Sequence, residues 1–134
     1  MRIVLAGIDV ATSSRALRVL ETSHPPGIYV PADDFADGAL RANPHRTVCE
    51  FKGVASYWDL VVGAEVATAA AWSYENPSPG FEAITAHISV YPGRVDACYL
   101  GDELVTAQDG GFYGGWITAD VVGPFKGGAE TTGW

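Results

Sequence analysis

Apolar and polar residues alternate in short runs along the chain, and no segment keeps an apolar residue at helical spacing for three turns. A period of two places successive side chains on opposite faces of an extended strand. The runs are also rich in β-branched and aromatic residues, which favour strands. The pattern therefore predicts a mainly β protein built from short antiparallel strands.

Glycine and proline residues separate the predicted strands. Gly7 lies between the first two, which form a hairpin, and two long strands are joined across residues 63–65. A second hairpin is predicted about Pro92 and Gly93. The predicted strands cover residues 2–5, 8–10, 16–21, 28–30, 47–51, 54–62, 67–74, 88–91, 95–100 and 104–106.

Three kinds of segment lie between or after these strands. Residues 31–34 contain two adjacent aspartates that offer an N-cap for a short helical turn, and residues 81–84 form a second turn. The polar residues 37–45 are predicted to be a loop. The glycine-rich tail, residues 108–134, carries rings that flexible linkers lack, so we expect it to be ordered by packing them: Phe112, Tyr113, Trp116, Phe125 and Trp134.

Composition and charge narrow the class of protein. The length suits one domain over residues 1–134, and 48% apolar with 18% charged residues is typical of a globular chain. A net charge of −8 repels phosphate backbones and anionic headgroups, which argues against nucleic acid and membranes as partners. The start of the chain has no secretory signal pattern, so we expect a cytoplasmic protein.

The cysteines and histidines do not have the spacing of a metal site. Cys49 and Cys98 are far apart and are expected to be thiols in a reducing compartment, and no Cys-x-x-Cys pair occurs. The three histidines are not paired at helical intervals. We therefore expect no metal, and no motif indicates a cofactor.

Lys52 is the first candidate for chemistry, because the chain has only two lysines and both follow phenylalanine and precede glycine. An ammonium beside a ring receives anionic groups or, when desolvated, serves as a general acid or base. Strand alternation would place Glu50 beside Lys52, with Cys49 on the other face. The alternatives are a solvated lysine that closes a turn and a buried, unreactive Cys49.

A second polar group precedes a rigid turn. Glu21 and His24 flank two hydroxyl residues just before Pro25 and Pro26, an arrangement that holds polar side chains still. We take Glu21 and His24 as candidate acid/base residues. The alternative is an ordinary capped loop with an exposed histidine.

Aromatic residues on neighbouring predicted strands supply the remaining candidates. Alternation places Trp72 and Tyr74 on one face, and Tyr57 lies on the preceding strand. Rings with polar groups suit a small-molecule pocket, and they also fill cores, which is the first expectation for Trp58 and Trp72. The candidate ligand-binding residues are Tyr29, Cys49, Tyr57, Trp72 and Tyr74.

Several motifs resemble the domain-of-unknown-function 427 family (DUF427). They are residues 46–58 (RTVCEFKGVASYW), 70–77 (AAWSYENP), 20–26 (LETSHPP), 91–96 (YPGRVD) and the glycine and aromatic residues of the tail. The resemblance implies a compact β fold similar to the β-tent of methionine sulfoxide reductase B. Many such domains hold zinc through paired Cys-x-x-Cys motifs, which this chain lacks.

Three functions follow as hypotheses. The first is a small-molecule-binding domain, with or without acid/base catalysis, whose proton carrier is Lys52 or His24 and whose orienting carboxylate is Glu50 or Glu21. The second is a homodimer or interaction module that uses the tail rings. The third is nucleotidyl transfer, a label attached to the family. The chain has no glycine-rich phosphate loop, and its adjacent aspartates, Asp33 and Asp34, are interpreted as a helix cap rather than as Mg²⁺ ligands.

Overall fold

The computed structural model describes residues 1–20, 26–107 and 114–119, and its described strands pair antiparallel throughout. The mainly β prediction is thereby confirmed. No helix in this part of the chain is long and apolar enough to cross a membrane. The strands are β1 (Arg2–Leu5), β2 (Ile8–Thr12), β3 (Leu17–Val19), β4 (Gly27–Pro31), β5 (Leu40–Cys49), β6 (Gly53–Val62), β7 (Glu65–Ser73), β8 (His87–Val90), β9 (Ala97–Leu100), β10 (Glu103–Leu104), β11 (Thr106–Ala107) and β12 (Trp116–Ile117).

The strands form three sheets. The larger two have the strand orders β3-β4-β8-β7-β6-β5 and β10-β9-β1-β2, and β11 pairs with β12. The predicted β1–β2 hairpin is present, and Gly7 takes the positive φ of 74° that its turn requires. The hairpin of β6 and β7 is also present, with Gly63 at a φ of 57°.

The apolar core draws side chains from both large sheets. Ile3 comes from β1, Val30 from β4, Leu60 from β6 and Val90 from β8, and none of the four is exposed. Burying a side chain of this size contributes about 1.5–3 kcal/mol to stability. Trp116 of β12 joins this core at 0% exposure. The expectation that the tail packs its rings is confirmed for Trp116, and the other tail rings lie outside the described residues.

β5 corrects the predicted loop at residues 37–45. The strand begins at Leu40 and pairs with β6 over almost its whole length. Its polar sequence is explained by its place at the edge of the six-stranded sheet, where most of its side chains are exposed. Pro44, which has no N–H to donate, lies where the register shifts between Asn43 and Arg46.

The hairpin predicted about Pro92 and Gly93 is wrong. β8 pairs with β4 and β7, whereas β9 pairs with β1 and β10 in the other sheet. A 3₁₀ turn at Pro92–Arg94 separates the two strands. The chain crosses here from one sheet to the other, a choice that the local pattern of turn residues does not determine.

Short 3₁₀ turns at Ala32–Asp34 and Glu82–Ile84 confirm the two predicted helical turns. The predicted cap is wrong, because the first turn has no side-chain capping hydrogen bond. Asp34 instead accepts hydrogen bonds from Ser13 Oγ at 2.5 Å and Arg15 Nη2 at 2.7 Å. These bonds lower the pKa of Asp34, with the Arg15 bond as the largest cause.

Candidate functional site

The six-stranded sheet carries two kinds of side chain on its two faces. On β4, Ile28 and Val30 point to the apolar core, while Tyr29 between them points to the opposite face. The same alternation on β6 separates Leu60 from Tyr57. The opposite face holds a set of buried rings, which we call the aromatic cluster: Tyr29, Tyr57, Trp72, Tyr74 and Tyr91.

The rings of the aromatic cluster contact one another at their edges and at oblique angles. Tyr29 meets Trp72 nearly perpendicularly, with centroids 6.4 Å apart and planes at 83°. Trp72 lies 4.5 Å from Tyr91 at 44°, and Tyr29 lies 6.4 Å from Tyr74. Such arrangements add about 0.5–1.5 kcal/mol per pair beyond burial. The cluster is a connected set of rings rather than scattered aromatic residues.

The tyrosine hydroxyls of the cluster form a chain that reaches β5. Tyr57 Oη lies 3.3 Å from Tyr91 Oη and 3.1 Å from Thr47 Oγ1. Burial raises the pKa of Tyr91, and its hydrogen bond to Tyr57 adds to that rise. Tyr91 is therefore a neutral phenol near pH 7, which donates or accepts hydrogen bonds and does not act as an anionic base.

All four predicted aromatic ligand residues, Tyr29, Tyr57, Trp72 and Tyr74, belong to this one cluster. The fifth predicted ligand residue, Cys49, is half-buried and packs against the cluster. Tyr91 was missed, although the alternation of residues 88–91 places it on the same face as Ser89, away from Ile88 and Val90.

The predicted acid/base residues differ in burial and in position relative to the aromatic cluster. Lys52 is only 6% exposed, and its Nζ lies 5.8 Å from the centroid of Phe81, a ring that packs against the aromatic cluster. Glu50 is exposed. The prediction that Glu50 and Lys52 share a strand face is wrong, because β5 ends at Cys49 and residues 50–52 form the turn into β6. Glu21 and His24 lie outside the described residues.

Two irregularities in the strands flank β6 beside the cluster. The β5–β6 register shifts between Asn43 and Arg46, and the β6–β7 register shifts between Trp58 and Leu60. Ala69 lies at the second shift with a φ of 50°, which is unusual for a residue other than glycine. Bulges often occur next to functional sites, where they redirect side chains.

Asp59, which the sequence analysis does not identify, forms hydrogen bonds to residues at both register shifts. Its Oδ1 accepts hydrogen bonds from Ala69 N and Asn43 Nδ2, each at 2.8 Å, and its Oδ2 accepts one from Arg41 Nη2 at 2.9 Å. These bonds lower the pKa of Asp59, the Ala69 bond most of all. The sequence feature that could have identified Asp59 is a lone carboxylate within an apolar strand, because charged residues are rarely buried without a partner.

The irregularities connect to the aromatic cluster through two exposed side chains. Arg94 Nη1 donates to Ala69 O at 2.7 Å, and its guanidinium lies 4.1 Å from the centroid of Tyr91. The His45 ring lies 4.6 Å from that of Tyr57. The backbone distortions of β5 and β7 therefore lie beside the polar side chains that border the cluster.

Ser89 of β8 is the one polar side chain that lies buried beside the cluster without a hydrogen bond in the described part of the chain. It is 0% exposed, and its Oγ has no partner. Ile88 and Val90 point to the apolar core, so Ser89 points to the aromatic face, where its cross-strand partner is Trp72.

Gly114 covers part of the cluster with backbone alone. A Cβ at this position would lie 2.2 Å from Trp72 Cη2, so only glycine allows the approach. Trp116 anchors the segment, with its indole N–H donating to Val90 O at 3.0 Å and its backbone N–H to Pro26 O at 2.9 Å. Trp116 is buried, so this ring does not contribute to the partner surface of the interaction-module hypothesis.

Two observations concern potential metal ligands and the Cys98 thiol. Within the described residues, no group of three or more histidine, cysteine, aspartate or glutamate side chains is arranged to hold a metal ion. Burial raises the pKa of Cys98 to about 12, which keeps it a thiol.

Comparison with known proteins identifies the family. The comparison with curated proteins finds no match. The family match spans the whole aromatic cluster and ends before Gly114 and Trp116. Residues 1–101 match the model described as domain of unknown function (DUF427), and because this is most of the 134 residues, the chain belongs to the DUF427 family.

Proposed function

We propose that this protein is a small-molecule-binding domain whose ligand binds at the aromatic cluster. The observation that carries the proposal is the set of four tyrosines and one tryptophan buried on the sheet face opposite the apolar core. The core face of β4 and β8 is filled by aliphatic residues, whereas this face concentrates rings with hydroxyl groups. Apolar walls with a few directed polar groups are typical of ligand sites.

Lys52 supports the finer proposal that the domain is an enzyme. Its side chain is buried and lies beside Phe81 at the margin of the aromatic cluster. An ammonium there would orient a polar substituent of a substrate or transfer a proton to it. The neutral phenol of Tyr91 would serve as a hydrogen-bond donor to the same substrate.

A thermal-shift screen tests the proposal, with metabolites and nucleotides each measured with and without Mg²⁺. A ligand at a hundred times its Kd stabilises the protein by about 2.7 kcal/mol. We expect a shift that does not need Mg²⁺ and that shrinks in Lys52→Met. Lys126→Met, from the same Phe-Lys-Gly sequence, is the matched control and should respond like the wild type. Shifts confined to nucleotides with Mg²⁺ would favour nucleotidyl transfer instead.

The turn between β5 and β6 favours a second candidate function, a dimerising module. Val48 and Val54 are cross-strand partners and are 77% and 53% exposed, and Phe51 between them is 67% exposed. Exposed apolar groups at a sheet edge are typical of interaction surfaces. Light scattering would detect a dimer, which Phe51→Ser should convert to a monomer. A monomeric wild type would exclude this candidate.

A further inference from the structure

Ser89 occupies an unusual position for an unpaired hydroxyl. It has no exposed surface, and its cross-strand partner on β7 is Trp72. On the other side, the β4–β8 pairing of Val30 with Ile88 places Tyr29 next to Ser89. The rings of Tyr29 and Trp72 meet edge to face, 6.4 Å apart, on the aromatic face that Ser89 shares. Aromatic rings thus border the hydroxyl on both neighbouring strands.

A buried hydroxyl without a partner opposes folding. Its desolvation is unfavourable, and most buried polar groups in proteins are hydrogen-bonded for this reason. Alanine or valine at position 89 would fit a strand interior without that cost. Nearby Ser73 shows the usual arrangement, since its Oγ accepts a 2.9 Å hydrogen bond from Trp58 Nε1. Ser89 is therefore explained better by a bound partner than by folding.

The surroundings of Ser89 select the chemistry of that partner. A buried water molecule needs two to four polar partners, and the neighbouring residues Tyr29 and Trp72 present rings. An ionised group between Tyr29 and Trp72 would lose its hydration beside uncharged rings, because the cations Lys52 and Arg94 lie over Phe81 and Tyr91 instead. A flat, uncharged ring system would exchange ring contacts with Trp72 and offer one hydrogen-bonding atom to the hydroxyl.

We propose that Ser89 Oγ is the hydrogen-bonding anchor for an uncharged, planar ring ligand that inserts between Tyr29 and Trp72. This inference rests on the proposed function and specifies its ligand class. Opening requires the two rings to separate by rotation of their side chains, and the hydroxyl then gains the partner that it lacks in the free protein. The anchor stabilises the complex rather than the free protein.

The test uses naphthamide and naphthoate, which share a ring system and differ in charge, titrated into the purified full chain by calorimetry. We expect naphthamide to bind the wild type at least tenfold more tightly than naphthoate. Ser89→Ala should weaken naphthamide binding about tenfold, which corresponds to about 1.4 kcal/mol. The Tm of Ser89→Ala without ligand should equal or exceed that of the wild type, because the unpaired hydroxyl is gone.

Ser73→Ala is the matched control, because it removes a buried hydroxyl that has a partner. It should lower the Tm and leave naphthamide affinity unchanged. Equal naphthamide affinity in Ser89→Ala and the wild type would overturn the anchor while leaving the aromatic cluster as a binding site. Tighter binding of naphthoate, or a Tm loss in Ser89→Ala as large as in Ser73→Ala, would also overturn it. Binding of neither compound to the wild type would remove the proposed function at this cluster.

Discussion

The two faces of the six-stranded sheet are built from the same strands and differ in chemistry. The core face carries aliphatic side chains such as Val30, Leu60 and Val90, and the other carries the aromatic cluster with its tyrosine hydroxyls. Stability alone explains the first face. The second face includes an unpaired hydroxyl at Ser89 and strand irregularities at its margin, features that oppose or complicate folding. The contrast separates a structural face from a face suited to binding.

The largest expected effect comes from a cavity on the core face. Leu60→Ala removes a side chain with 0% exposure and should destabilise the protein by about 2–5 kcal/mol. Urea unfolding measures this loss. The affinity of the folded protein for a cluster ligand should stay within twofold of the wild type, because Leu60 points away from the aromatic cluster. A large loss of ligand affinity in a folded Leu60→Ala variant would contradict the separation of the two faces into a structural face and a binding face.

The second effect is that of Asp59→Asn, which removes the charge that accepts bonds from Arg41, Asn43 and Ala69. We expect a loss of about 1.5–3 kcal/mol near pH 7. The folded pKa of Asp59 lies below its ordinary value, so its contribution is fully present above the unfolded pKa, about 3.9. The contribution is lost as the pH falls through the lower, folded pKa.

Unfolding measured across the acid range therefore checks Asp59. The variant should lose less stability than the wild type as the pH falls below about 4. The exposed Asp37 supplies a control, since Asp37→Asn should keep the wild-type acid response. An unchanged slope in Asp59→Asn would contradict the proposed role of this carboxylate in holding the strand irregularities.

The third effect concerns the cover of the aromatic cluster. Gly114→Ala places a methyl group against the Trp72 ring and should cost about 1–3 kcal/mol while displacing the segment or the indole. Tryptophan fluorescence and thermal unfolding detect both changes. Gly93→Ala is the control, because its Cβ would meet Ala107 Cβ at an ordinary 3.5 Å. Similar results for the two variants would show that Gly114 is not closely packed.

The smallest effect is that of Tyr57→Phe, which breaks the hydroxyl chain and keeps the ring. Tyr91 and Thr47 each lose one hydrogen-bond partner, so we expect a loss of about 0.5–1.5 kcal/mol in urea unfolding. Thr47→Val removes the outer hydroxyl only and should cost less, because Thr47 is half-buried. A larger loss in Thr47→Val would contradict the assignment of Tyr57 as the centre of the chain.

The sequence pattern predicts the fold class, the two glycine-centred hairpins and the common face of Trp72 and Tyr74, because alternation and turn residues are local properties. It fails at β5, since an exposed edge strand is polar enough to resemble a loop. It also fails at Pro92, where the choice between a hairpin and a crossing to the other sheet depends on distant pairing with β1. The same turn residues, proline and glycine, are compatible with a hairpin and with a crossing between sheets.

The sequence also predicts part of the candidate site. Tyr29, Tyr57, Trp72 and Tyr74 were identified because aromatic residues in strands are conspicuous, and all four meet in the cluster. Ser89 and Asp59 were not, because an unpaired hydroxyl and a carboxylate that holds two bulges are defined by the register between strands. Glu50 does not share a strand face with Lys52, because strand alternation ends at Cys49 and a turn follows.

Binding at the aromatic cluster can be observed by NMR through the tryptophan indole N–H signals during a titration with naphthamide. Single tryptophan substitutions assign these signals. Trp72 lies in the aromatic cluster, while Trp58 and Trp116 pack with the apolar core and donate to Ser73 and Val90. We expect the Trp72 signal to move until the site is saturated and the signals of Trp58 and Trp116 to stay nearly fixed. Movement of Trp58 or Trp116 with Trp72 unchanged would contradict binding at the aromatic cluster.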